Sequence, residues 1–98
     1  MTTKTTATDV LAGAHQLMAA RGAQYDKPEG ERSMGRAVAA LNTILGRPAL
    51  TESEGWLLLQ ILKDVRDRQR APHLDSLVDC AAYAALKAEA RLQEASHG

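Results

Sequence analysis

Lys63, Arg66, Asp67 and Arg70 recur at offsets of three and four, which on a helix stacks them along one face. Past Pro72 come His73, Asp75 and Asp79, the two aspartates one helical turn apart, with Tyr83 a turn further on. Cations grip phosphate oxygens, and paired carboxylates can hold a magnesium ion that bridges those oxygens. This is an inventory for phosphate chemistry, provided two antiparallel helices bring it together at one end of the molecule. The same spacing has a plainer explanation. Asp64 with Arg68 and Asp67 with Arg70 are ordinary helix-surface pairs, Asp75 can cap a helix, and Asp79 can complement its dipole. On spacing alone the plainer explanation carries more weight.

A second set lies between Arg21 and Arg32, where Tyr25, Asp26, Lys27, Glu29 and Glu31 surround Pro28 and Gly30. An aromatic side chain in a polar loop can stack on a base or plug the end of a helical bundle. Glu52 and Glu54 are explained by capping and by the helix dipole. Cys80 reads as a small core residue, since neither sequence neighbour offers to activate its thiol.

The elements that must carry these residues are helices. The 98-residue chain has no Phe, one Trp (Trp56) and two Tyr, so its core is built from Leu, Ile, Val, Met and Ala, a composition that favours helix over strand. Residues 1–7 read as a loose Thr-rich tail. Thr8 or Asp9 caps a first helix whose apolar positions are Val10, Leu11, Ala14, Leu17 and Met18, with Gly22 as its stop. A loop follows over 23–30, then a second helix from about Glu31 to Leu45, closed by Gly46 with Pro48 beyond. Thr51-Glu52-Ser53-Glu54 is a capping box that opens a third helix, apolar nearly all round in its first half and expected to pack on several sides. A short turn at Ala71-Pro72-His73 makes the fourth helix an antiparallel neighbour of the third. It runs from Leu74 or Asp75 to about Gln93 on a stripe of Leu77, Val78, Ala81, Ala82, Ala85, Ala88 and Leu92, with 94–98 frayed. The fold expected is all-α, one four-helix domain over 8–93.

Twelve basic and twelve acidic residues cancel, which argues against a general electrostatic grip on nucleic acid. No run approaches the roughly 20 apolar residues of a membrane span, and no signal peptide is evident. A single cysteine excludes an intrachain disulfide and suits a reducing cytoplasm. A core this thin is often finished by self-association, so a homodimer or larger homo-oligomer is expected.

The order of residues from Arg21 to Glu89 resembles a family of small phage and prophage proteins related to the MazG-like all-α pyrophosphatases. The resemblance is carried by Arg21-x3-Tyr25-x2-Pro28, the Gly46 and Thr51 punctuation, Lys63-x2-Arg66, and His73-x-Asp75-Ser76-x2-Asp79-x3-Tyr83-Ala84. It shifts the weight at the helix junction from structure to function. It implies a bundle that pairs into a dimer with a nucleotide held between helices, and magnesium activating water to cut between the α and β phosphates. On that resemblance Asp75 and Asp79 take the metal and catalytic positions. Lys63, Arg66, Arg70 and His73 face phosphates, Tyr25 or Trp56 faces the base, and Tyr83 lines the site. The Glu-Glu-x-x-Glu cluster of MazG enzymes has no counterpart in the body of the second helix, leaving Glu29, Glu31, Asp64 or Asp67 as substitutes. Three functions follow as alternatives: a magnesium-dependent nucleotide pyrophosphohydrolase, a non-catalytic nucleotide or cyclic-nucleotide sponge countering host defence signalling, and a protein-interaction bundle.

Overall fold

The computed structural model describes residues 4–25 and 33–97, and these described residues form four helices and no strand: α1 (Ala7–Tyr25), α2 (Ser33–Leu45), α3 (Glu52–Arg68) and α4 (Leu74–His97). No described helix is long and apolar enough to cross a membrane. Asp26, Lys27, Pro28, Glu29 and Glu31, from the loop expected between α1 and α2, lie outside the described residues.

Local rules account for most of the ends. The hydroxyl of Thr6 accepts from the Asp9 N–H at 3.2 Å while the Asp9 carboxylate accepts from the Thr6 N–H at 3.0 Å, so α1 is capped two residues earlier than Thr8. α1 continues through Gly22 to Tyr25, because a glycine stops a helix only where it turns left-handed. Gly46 does so, with φ of 70°. Its N–H donates to the Thr43 carbonyl and that of Arg47 to the Asn42 carbonyl, both at 3.2 Å, the paired bonds that close a helix on a left-handed residue. Asn42 also ties down the connector. Its Nδ2 donates to the Leu50 carbonyl at 2.9 Å, and its Oδ1 accepts from the N–H groups of Ala49 (2.9 Å) and Leu50 (3.0 Å). The capping box at the start of α3 is complete: Thr51 Oγ1 accepts from the Glu54 N–H at 3.2 Å, and Glu54 Oε1 accepts from the Thr51 N–H at 2.8 Å.

The helices pack in the order α1, α4, α3, α2, each against the next. α3 and α4 share the largest contact, as their short connection requires. A radius of gyration of 15.2 Å exceeds the about 13 Å of a compact chain this long, so the arrangement is extended. The core is correspondingly small: Trp56, Tyr83, Leu86 and Ala90, with Met18, Met34 and Leu59 packed against them.

Two packing expectations change. α3 is not enclosed, for Leu57, Leu58, Ile61, Leu62 and Val65 are exposed. Among the described helices, α4 and the amino-terminal part of α2 pack against it. On α4 the buried line runs through Ser76, Ala82, Tyr83, Leu86 and Ala90, whereas Ala85, Ala88 and Leu92 face solvent. So many alanines leave the stripe ambiguous in sequence, and the antiparallel fit to α3 selects the face that carries Tyr83. The carboxyl-terminal end of α4 is helical to His97 rather than frayed at Glu94.

Candidate functional site

α3 and α4 run antiparallel, so residues early in one meet residues late in the other along a single seam. At its far end the Glu94 carboxylate takes two hydrogen bonds from Ser53, one from the N–H at 3.0 Å and one from the hydroxyl at 2.8 Å. Ser53 is buried, and the two bonds, the backbone one foremost, hold the Glu94 carboxyl below the ordinary carboxylate range. Next along the seam the Trp56 and Tyr83 rings stack at a centroid distance of 5.6 Å and an interplanar angle of 25°. Beyond them the Cys80 Sγ lies 3.6 Å from the Gln60 carbonyl oxygen, and burial, aided by Asp64, pushes its thiol up. That holds Cys80 to its part as a packed, protonated residue. The Gln60 Oε1 is buried with no hydrogen-bond partner among the described residues.

The near end is the junction that the sequence singles out. Lys63 Nζ and Asp79 Oδ2 form an ion pair of 2.8 Å, with side chains 19% and 17% exposed. The His73 N–H donates to Asp67 Oδ1 at 2.8 Å, fastening the turn to the last turn of α3. His73 Nδ1 and Ser76 Oγ are 2.6 Å apart, with the buried Ser76 in the first turn of α4. Lys63, His73 and Asp79 are thus brought to one seam, together with Asp67 and Ser76. Arg66, Arg70 and Asp75 are exposed and sit outside it. Arg70 lies beyond the helix, since α3 ends at Arg68 and Pro72 disfavours helical backbone at Ala71. The Asp64–Arg68 surface pair forms at 3.6 Å between exposed side chains. Tyr83 is buried against Trp56 rather than open at the junction. Tyr25 closes α1, and its side chain lies outside the described residues.

Magnesium asks for several oxygen ligands converging on one point. Among the described residues no three His, Cys, Asp or Glu side chains come together in that way, and Asp79 is already engaged by Lys63. The described donors do not by themselves make a magnesium site.

Where all four helices converge, Arg21 of α1, Ser33 and Met34 of α2, Trp56 and Leu59 of α3 and Tyr83 of α4 line a cleft of about 240 Å³. Its lining combines two aromatic residues, apolar side chains and one arginine. Arg21 and Tyr83 carry sequence motifs, but their joint presence in one cleft depends on how α1 and α2 meet the α3–α4 seam. Residues 9–91 match a family described as a domain of unknown function, DUF6378. The chain belongs to that family. No curated protein and no solved structure matches the chain. The DUF6378 match takes in the seam apart from Glu94, and every residue that lines the four-helix cleft.

Proposed function

We propose that this DUF6378 protein binds a nucleotide or nucleotide-derived small molecule, with the base against Trp56 and Tyr83 and the anionic part at Arg21. The observation that carries this reading is the cleft itself, where a stacked aromatic pair, apolar walls and a guanidinium converge from four helices. Ligand sites are concave, mostly apolar and fitted with a few polar groups that fix orientation, and this one has that make-up. Its about 240 Å³ suits a base with part of its sugar better than a dinucleotide. The likeness to small phage proteins related to the MazG-like pyrophosphatases supports the same class of ligand.

Binding without turnover is the stronger form of the proposal. Lys63 and Asp79 neutralise one another, and the described carboxylates do not complete a metal site. Hydrolysis rests on the MazG likeness and on Asp75 with Asp79. A thermal-shift screen against nucleotides and cyclic nucleotides, with and without magnesium and with products followed by chromatography, separates the two. A metal-independent shift with the ligand recovered intact supports binding. Magnesium-dependent product that is lost in Asp75→Ala, at an exposed residue outside the Lys63–Asp79 pair, establishes hydrolysis, and no shift with any nucleotide overturns both.

A further inference from the structure

Outside the cleft, α3 keeps an apolar side that no other described helix covers. Leu58 is 58% exposed, Ile61 50% and Val65 48%, with Leu57 and Leu62 at 40%. α3 meets α4 through Trp56, Gln60 and Lys63 and meets α2 through Gly55, which leaves this side open. Single exposed apolar residues are ordinary, but five neighbours on one helix form a patch of the kind that marks an interface.

The order of residues along that side says what fits it. Glu54, Leu57, Ile61, Val65 and Arg68 follow one another at steps of three, four, four and three, so they lie in one line along the helix. The steps are the same read from either end, and the line begins with an acid and ends with a base. Such a line is complementary to itself run in the opposite direction. We infer that a second copy of this chain docks here, α3 against α3, antiparallel about a two-fold axis at Ile61. Ile61 then meets Ile61 of the partner subunit, Leu57 meets the partner's Val65, and Glu54 meets the partner's Arg68 at both ends. Leu58 and Leu62 flank the line on each copy.

The charges at its ends are placed for this. The capping box holds the Glu54 carboxylate through Thr51. Arg68 is 79% exposed and, among the described residues, makes a long 3.6 Å contact to Asp64. An antiparallel pair also sets the positive end of each helix dipole beside the negative end of the other. An isologous two-fold contact closes on itself and stops at two copies. None of its residues lines the Trp56 cleft, so the interface stands or falls apart from ligand binding.

Sedimentation equilibrium of the full chain is expected to give a dimer, and Ile61→Glu a monomer of unchanged helical content, since the monomer fold leaves Ile61 half exposed. Arg68→Glu sets two like-charge contacts in place of two ion pairs and should raise the dimer Kd by about tenfold. In a Cys80→Ser background, Ile61→Cys should cross-link to itself on oxidation, whereas Leu11→Cys, 64% exposed on α1, should not. A wild-type chain that stays monomeric up to about 100 μM overturns the inference. So does a dimer that Ile61→Glu leaves intact, or cross-linking through Leu11→Cys as readily as through Ile61→Cys.

Discussion

Lys63 and Asp79 face each other across the α3–α4 seam at 2.8 Å, both mostly shielded from water. The pair decides what either residue is free to do. An ammonium held by a carboxylate is a weaker phosphate ligand, and a carboxylate held by an ammonium is a weaker metal ligand. The junction therefore works first as a fastening between two helices.

Breaking that fastening on one side should be costly. Asp79→Ala leaves a largely shielded ammonium without its partner and is expected to destabilise the chain by about 2 kcal/mol, discounted from a fully buried pair for remaining solvent access. The double variant Lys63→Met with Asp79→Ala should recover most of the loss. Urea unfolding of the four corners of this cycle checks it. A loss in the double variant equal to the sum of the two single losses would show that the two residues are not coupled.

Arg21→Ala is expected to weaken nucleotide binding about tenfold, the loss of one charge-assisted contact, while thermal unfolding shifts little. Trp56 is the only tryptophan, so its fluorescence reports occupancy of the cleft directly. Titration of wild type and variant measures the ratio, and identical curves would remove Arg21 from the site.

Glu94→Ala removes the acceptor of the Ser53 N–H and leaves the buried Ser53 hydroxyl with its 3.2 Å contact to Thr51 Oγ1, at a cost of about 1–2 kcal/mol once the partial exposure of the carboxylate is allowed for. The Ser53–Glu94 contact also sets a pH dependence. The Glu94 carboxyl is held down in the folded chain, so its stabilisation is present above the ordinary glutamate range and is lost as pH falls through the lowered value. Acid unfolding of Glu94→Gln should lack this component. Superimposable acid transitions of wild type and Glu94→Gln would refute it.

Gly55→Ala should destabilise despite alanine's better helix propensity. A Cβ at this position falls within the side chain of Met34 and 3.0 Å from Val38 Cγ1. Overpacking costs about 1–3 kcal/mol against the roughly 1 kcal/mol that propensity returns. Combining it with Met34→Ala should relieve the clash. A Gly55→Ala chain that melts higher than wild type contradicts the close approach of α2 and α3.

Legibility in the sequence followed distance along the chain. The Thr51–Glu54 box and the Gly46 stop are set within a few residues and can be read directly. Lys63, His73 and Asp79 could be grouped because one short turn joins their helices. The Ser53–Glu94 contact spans 41 positions and had no signal, so the end of α4 read as loose. The face of α4 was hidden by alanines too alike to rank. The Arg21 cleft was hidden because it forms only when all four helices meet.

The Asn42 clamp bears on that cleft. Three hydrogen bonds make the α2–α3 connector an elbow that holds its angle, so α2 is anchored at its final turn. Met34 lies eight residues, or about 12 Å, along α2 from Asn42, at the wall of the cleft, and there it meets Gly55. The wall over Trp56 and Tyr83 is thus set at two points, by the Asn42 clamp near one end of α2 and by the Met34–Gly55 contact near the other.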